Sequence, residues 1–195
     1  MKTYFKVEGT YSKQEYEDKA RRLLEIDIIN KEDYSRVLNS KYTQEYHSDS
    51  FTDFFYSENA KNYTVCYIDD LKYMVLTKSF ETFYTSLVTI ILQKQGLYEL
   101  KTEKKEEETI FHINNLTYSL SWTTESMFKE ICRFIESINF EERKICKQAS
   151  TTDSIIFLVL SKSQYEIMYN ERLVCFDNEY YPEIEEWRKN YVPPF

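Results

Sequence analysis

Glycine is nearly missing from this chain, and its scarcity excludes whole classes of enzyme. The 195 residues contain two glycines, Gly9 and Gly96. Loops that hold phosphates or dinucleotides need several glycines close together, because a side chain would keep the backbone away from the phosphates. We therefore exclude enzymes of the P-loop and dinucleotide-binding types. The GxSxG motif of serine hydrolases is also missing.

Paired cysteines and long apolar runs are absent as well. Metal fingers place cysteines in close pairs, whereas the four cysteines of this chain stand apart, at Cys66, Cys132, Cys146 and Cys175. We expect them to be structural, and we predict neither a metal nor any other cofactor. The longest apolar run, Ile155–Leu160, is far shorter than the ~20 residues that cross a bilayer. Since the first residues contain no apolar signal segment, we predict a cytoplasmic protein without a membrane segment.

Acidic residues are concentrated in two short stretches that are rich in aromatic residues. The first acidic stretch, Tyr42–Glu58, holds six aromatic residues and four carboxylates. The second acidic stretch, Phe176–Trp187, holds four aromatic residues and five carboxylates. Neither stretch contains Lys or Arg. Together they carry −9 in a chain whose formal charge is −8, so all other residues balance to +1. Clustered carboxylates and aromatic rings are typical of surfaces that bind a basic protein.

We therefore predict a non-enzymatic acidic binding protein that docks on a basic protein partner and inhibits it, as immunity and anti-defence proteins do. In an extended segment consecutive side chains point to opposite sides, so three adjacent rings cannot all enter one core. We accordingly expect exposed rings in the first acidic stretch. The predicted charged contacts are Asp49, Asp53, Glu183, Glu185 and Glu186. The predicted aromatic anchors are Phe54, Phe55, Tyr56, Tyr180 and Tyr181.

Three other interpretations stay open. The rings would be core residues if the carboxylates beside them were simply solvated loop residues. A metal-dependent nuclease would use Asp70, Glu99 and Lys101, because Asp followed by Glu-x-Lys is a set that holds Mg²⁺ and positions water. A structural subunit or homodimer would bury the rings against a second copy. Direct nucleic-acid binding is disfavoured, since the basic residues are scattered rather than clustered.

Periodicity and turn residues predict an α+β fold, with a mainly antiparallel sheet of seven or eight strands and helices on one face. Near the N-terminus, Ser12-x-x-Glu15 is a capping box for a helix that runs to about Ile28. Asn30 and Asp33 then open a second, shorter helix. We expect these two helices to form a helical hairpin.

Two similar segments follow in the middle of the chain. In each, a β-hairpin is predicted around a polar pair, Asp69-Asp70 or Asn114-Asn115. Each hairpin precedes a helix, Ser79–Gln95 or one capped at Thr124, and then a strand. The segments align at an offset of 45 residues, which suggests a duplicated ββαβ unit, although shared periodicity alone would give the same likeness.

The last part of the chain begins with the run Ile155–Leu160, which we predict to be a fully buried strand. Tyr165–Tyr169 and Arg172–Phe176 flank Asn170-Glu171 and are predicted to form a last hairpin. Pro182 would begin a terminal helix. We treat residues 1–195 as one domain. Its parts are an N-terminal strand and helical part (1–60), the possible duplication (61–148), and the C-terminal hairpin and helix (149–195).

Overall fold

A computed structural model gives the chain an α+β fold, as predicted. Its described residues form three helices, two shorter helical segments and nine strands. The structure describes residues 4, 10–39, 46–47, 54–55, 57, 60–67, 88–92, 99–105, 108–121, 133–140, 142–148, 154–176, 179 and 181. Three predicted elements lie outside these ranges: the N-terminal strand, which we predict at residues 5–7, the second strand of the first hairpin, and the terminal helix after Pro182.

All strand pairs in the described ranges are antiparallel. The strands are β1 (Thr10–Tyr11), β2 (Tyr46–His47), β3 (Tyr63–Tyr67), β4 (Leu100–Lys105), β5 (Glu108–Ile113), β6 (Leu116–Ser121), β7 (Asn139–Phe140), β8 (Arg143–Lys147) and β9 (Ser154–Ser161). They divide into three sheets with the orders β1-β2, β3-β9-β8-β7 and β4-β5-β6. The structure therefore does not support the prediction of a single sheet of seven or eight strands. Strand β3 pairs with β9, which is distant in sequence, and therefore lies in a different sheet from β4, the next described strand along the chain.

The described helices are α1 (Lys13–Glu25), α2 (Lys31–Asn39) and α3 (Lys162–Glu171). Helical segments 88–92 and 133–137 fall inside the two helices predicted for the middle of the chain. Within the described ranges, no helix combines the length and the apolar character that a membrane crossing requires.

Helix α1 begins where the capping box predicts. The Ser12 Oγ accepts a hydrogen bond from the Glu15 N–H at 3.2 Å, and the Ser12 N–H donates to the Glu15 carboxylate at 2.9 Å. The helix ends at Glu25 rather than at Ile28, because Asp27 takes a left-handed backbone with φ of 58°. This turn directs Ile28 and its neighbour Ile29 into the core, where both are buried.

Helix α2 is opened by a reciprocal pair of hydrogen bonds. The Asp33 N–H donates to the Asn30 side chain at 2.9 Å, and the Asn30 N–H donates to the Asp33 carboxylate at 3.1 Å. Helices α1 and α2 contact each other, but the structure does not support the more specific prediction of a helical hairpin. The guanidinium of Arg22 in α1 donates two hydrogen bonds, at 2.9 and 2.7 Å, to the carboxylate of Glu171 in α3. This bidentate pair joins α1 to α3.

Strand β9 lies between two hydrophobic cores, and its buried character was predicted correctly. Its odd-numbered residues, Ile155, Phe157 and Val159, belong to the second core, together with Phe111, Phe134 and Ile145 among others. Its even-numbered residues, Ile156, Leu158 and Leu160, belong to the first core, together with Leu23, Phe54, Phe55, Tyr63, Phe176 and Tyr181 among others. Since alternate side chains of a strand point to opposite faces, one continuous apolar run serves both cores.

The hairpin predicted around Asn114-Asn115 is confirmed as β5 and β6, and Asn114 supplies the left-handed residue with φ of 53°. The duplicated ββαβ unit is not supported. A duplication at an offset of 45 residues would make β4 the counterpart of the last part of β8. These two strands would then pair with equivalent neighbours. Instead β4 pairs with β5, whereas β8 pairs with β9 and β7.

The predicted C-terminal hairpin is wrong, because residues 162–171 form α3 instead. A second capping box begins this helix: the Gln164 N–H donates to the Ser161 Oγ at 3.3 Å, and the Ser161 N–H donates to the Gln164 side chain at 2.9 Å. Arg172 ends it with a left-handed backbone, φ 55°. Asn170-Glu171, which we interpreted as the turn of the hairpin, instead forms the end of this helix, and the fully buried residue of the helix is Met168.

Candidate functional site

Three of the predicted aromatic anchors are core residues. Phe54, Phe55 and Tyr181 expose 1%, 3% and 0% of their surfaces and belong to the first core. The expectation that these rings are exposed is therefore wrong. Since they are buried, they cannot touch a partner while the core is intact. The remaining predicted contacts lie outside the described residues: Asp49, Asp53, Tyr56, Tyr180, Glu183, Glu185 and Glu186.

The first acidic stretch is fixed to the first core through its rings. The Phe54 ring packs against Tyr16 of α1 with a centroid distance of 4.6 Å, and the Phe55 ring meets Tyr63 of β3 edge to face at 4.9 Å. The ammonium of Lys19, which is itself 1% exposed, lies 5.2 Å from the centre of the Phe54 ring. Such contacts between a cation and an aromatic face are attractive and strengthen away from water.

A buried carboxylate holds the backbone of the same stretch. Asp33 of α2 is fully buried, and one of its oxygens accepts hydrogen bonds from the Ser57 N–H and the Tyr63 hydroxyl, both at 2.8 Å. Its other oxygen accepts the Asn30 N–H described above. A buried charge is tolerated only when donors surround it. Asp33 thus ties together α2, the first acidic stretch and β3.

The second acidic stretch is attached to the same core from the C-terminal side. The Tyr181 hydroxyl accepts a hydrogen bond from the Phe176 N–H at 3.0 Å, and the Tyr181 ring packs against Tyr169 of α3 at 5.1 Å. Burial raises the pKa of the Tyr181 hydroxyl. The guanidinium of Arg172 lies 5.0 Å from the Tyr181 ring centre and 4.9 Å from that of Tyr169.

One acidic residue of the second stretch, Glu179, has a described environment. Its carboxylate accepts a hydrogen bond from the Tyr165 hydroxyl, and the Lys144 ammonium approaches it to 3.7 Å. The same ammonium lies 4.6 Å from the centre of the Tyr165 ring. Burial, followed by the hydrogen bond to Glu179, raises the pKa of the Tyr165 hydroxyl, which therefore remains a donor at neutral pH. Glu179 is thus engaged within the fold.

Beside this pair lies a cleft with a volume of about 300 Å³, between β8, helical segment 133–137 and α3. Cys146 of β8 and Phe176 line it and are buried. Burial raises the pKa of the Cys146 thiol to about 12, so the thiol is neutral and is a poor nucleophile at pH 7. This agrees with the expectation of structural cysteines for Cys146, and Cys175 is also a buried free thiol.

The residues of the alternative nuclease site are only partly described. Glu99 precedes β4 and Lys101 lies within it, and both side chains are exposed. Asp70 falls outside the described residues, so the triad stays a prediction. Within the described ranges, no group of three or more His, Cys, Asp or Glu side chains is placed to hold a metal ion.

Sequence reasoning missed the polar residues that organise these regions. Asp33 appeared only as a helix-start residue, and Lys144 and Tyr165 were not singled out as functional residues. Their roles depend on contacts between residues far apart in the chain, for which no local motif exists. Glu179 could be counted as one of the clustered acids, but its partners on β8 and α3 could not be inferred.

Comparisons with known proteins return no match. Neither a protein-family model, nor a curated protein, nor a solved structure matches this chain.

Proposed function

We propose that this protein is a non-enzymatic acidic binding protein, which inhibits a protein partner by covering a basic surface. The charged contacts of the proposal are Asp49, Asp53, Glu183, Glu185 and Glu186. The negative potential of these groups would steer a basic partner toward them and raise the association rate.

The observation that carries this proposal is the attachment of both acidic stretches to one core. Phe54 and Phe55 of the first stretch, and Phe176 and Tyr181 of the second, are members of the first core. The two stretches carry nine carboxylates and no base. Anchoring them to the same core supports a common acidic surface, in which the two sets of charges act on one partner.

The buried rings change the role that we assign to the aromatic residues. Phe54, Phe55 and Tyr181 act from inside as anchors that hold the acidic stretches to the body of the protein. Tyr56 and Tyr180 remain the proposed aromatic contacts with the partner. Binding would therefore depend more on charge, and be more sensitive to salt, than it would with five exposed rings.

The test compares two variants with the same net charge. The first neutralises the proposed contacts as D49N, D53N, E183Q, E185Q and E186Q. The control neutralises five exposed carboxylates elsewhere, as E32Q, E99Q, E103Q, E142Q and E166Q. Both variants change the formal charge from −8 to −3. Partners captured from the native host by the wild type are purified, titrated calorimetrically with all three proteins, and assayed for inhibition.

We expect the first variant to bind the purified partner at least tenfold more weakly and to lose inhibition, with the control close to wild type. A tenfold loss corresponds to about 1.4 kcal/mol, which a few disrupted charge pairs supply. Equal affinities for the two variants would reject the proposed surface. Binding without any effect on the partner's activity would reject inhibition as the function.

A further inference from the structure

Strand β4 lies at an edge of the sheet β4-β5-β6 and is exposed on both of its faces. Within the ranges that the structure describes, β4 pairs with β5 alone. Every residue from Lys101 to Lys105 is exposed, including Thr102, whose partner in β5 is the buried Phe111. Strand β4 therefore extends beyond the second core, and its side chains are accessible to another molecule.

The hydrogen bonds to β5 determine which backbone groups of β4 face the edge of the sheet. The Asn114 N–H donates to the Glu99 carbonyl at 3.0 Å, in line with the register of the two strands. In an antiparallel ladder, alternate residues exchange hydrogen bonds with the partner strand. Since Glu99 bonds to the partner strand, Lys101 does so as well, and the N–H and C=O groups of Thr102 point away from β5. An edge strand with such outward groups can pair with another chain.

The charges of β4 are complementary to those of a second copy of the strand. Charged side chains on an edge strand commonly prevent pairing, because like charges would meet across the two strands. Two copies of β4 that pair antiparallel about a two-fold axis at Thr102 would instead set Lys101 opposite Glu103. The same axis sets Glu99 opposite Lys105, and symmetry repeats each pair. In this register the charges therefore attract each other.

The same register also suits the backbone. It sets Thr102 opposite Thr102 of the second copy, and since the backbone groups of both point outward, the two residues form a hydrogen-bonded pair. Lys101 and Glu103 then form a non-hydrogen-bonded pair, in which opposite side chains come closest. The Glu103 carboxylate lies 3.9 Å from the ring of His112, but 58% of its side chain is exposed and available to the second copy. A shift by one residue would set outward backbone groups opposite inward ones and abolish the ladder.

We propose that two copies of this chain pair through β4, antiparallel about Thr102, and join their three-stranded sheets into one sheet. The formal charge of −8 on each chain opposes association, so we expect a weak dimer. The β4-β5-β6 sheet packs on the second core, whereas both acidic stretches are attached to the first. The affinity of one copy for a basic partner should therefore be the same in the monomer and the dimer, also where Glu99 and Glu103 are neutralised. The dimer and the binding function proposed above are thus tested independently.

Sedimentation equilibrium of the full chain tests the proposal at concentrations from about 10 μM to about 1 mM, the range in which weak complexes dissociate. We expect the wild type to dimerise in this range. Lys101→Glu should weaken the dimer about tenfold, because it sets two carboxylates opposite each other, and Glu103→Lys should do the same with two ammonium groups.

The double variant K101E/E103K restores opposite charges in reversed order. Its dissociation constant should return to within about threefold of that of the wild type. Lys31→Glu and Glu32→Lys change the net charge by the same amounts as the two single variants, at exposed positions of α2. These matched controls should also stay within about threefold of the wild type.

Two further measurements locate the contact. Thr102→Cys should form a disulfide between two copies under mild oxidation, because a hydrogen-bonded pair holds its Cα atoms about 5.5 Å apart, within the range of a disulfide. Thr117→Cys, at an exposed position of β6, is the control and should not cross-link. In the wild type, amide exchange of Thr102 should slow as the protein concentration rises, whereas that of Thr117 should not.

Four results would each overturn the proposal. The wild type could remain monomeric at the highest concentration, or the single charge reversals could leave the dimer as stable as the controls do. The double variant could fail to restore a dimer that the single variants weaken. Finally, Thr102→Cys could cross-link no better than Thr117→Cys, with amide exchange of Thr102 independent of concentration.

Discussion

Asp33 shows how a single side chain can organise a region of this protein. Its carboxylate is fully buried and receives the Ser57 N–H, the Tyr63 hydroxyl and the Asn30 N–H. Three segments of the chain therefore depend on one acceptor group. Replacing the carboxylate by an amide would turn one of the two acceptor oxygens into an N–H donor that faces a donor already there.

We expect Asp33→Asn to lower the free energy of unfolding by about 2–4 kcal/mol, since hydrogen bonds to a buried charge are worth about 1.5–3 kcal/mol each and buried donors left unpaired add a cost. Urea unfolding followed by circular dichroism measures the change. The neighbouring exposed Glu32 provides the control, and Glu32→Gln should stay within about 0.5 kcal/mol of wild type. A cost for Asp33→Asn as small as that of the control would show that the buried network contributes little.

At this scale, the expected exposure of Phe54 and Phe55 was wrong for a geometrical reason. We expected exposure of the adjacent rings by assuming an extended backbone, in which neighbouring side chains diverge. Phe54 instead lies in a tight helical turn, so Phe54 and Phe55 both reach the first core. The contacts of Asp33 with Ser57 and Tyr63 could not be predicted either, because they join residues that are distant in sequence.

At the scale of elements, local signals predicted much more of the structure. The capping box Ser12-x-x-Glu15 gave the start of α1, and the polar pair Asn114-Asn115 gave the β5–β6 turn. Both signals act within a few residues, so tertiary contacts are not needed to interpret them. The error at α3 had a local cause too, since Asn170-Glu171 was interpreted as a hairpin turn and the capping box Ser161-x-x-Gln164 was overlooked.

The cap of α3 leads to a direct prediction. Ser161→Ala should lower the free energy of unfolding by about 1 kcal/mol, because the Gln164 N–H would lose its acceptor at the helix start. Ser163, which is exposed in the first turn, gives the matched control. Ser163→Ala should change stability by less than about 0.5 kcal/mol. Chemical unfolding measures both values, and amide hydrogen exchange should rise in α3 for Ser161→Ala alone. Equal effects of the two substitutions would contradict the capping role.

At the scale of the whole molecule, the pairing of the strands could not be predicted from the sequence. Periodicity identified β3, β8 and β9 as strands, but it does not specify which strands are neighbours. The sheet order β3-β9-β8-β7 places the first of these strands beside the last. Such long-range pairing is decided by how the cores fill. All strands were therefore expected in one sheet, whereas the strands that the structure describes form three.

The position of β9 predicts that the two cores unfold together. Leu158 faces the first core and Phe157 the second, and both are buried. Leu158→Ala should cost about 2–5 kcal/mol and Phe157→Ala about 3–5 kcal/mol, through lost burial and the cavities left behind. Because the two residues share one strand, each substitution should speed amide exchange both in α1, beside the first core, and in β5, beside the second. Glu142→Gln in the exposed turn before β8 is the control and should change neither region. If Leu158→Ala accelerates exchange in α1 and leaves β5 fully protected, the cores are energetically separate and β9 does not couple them.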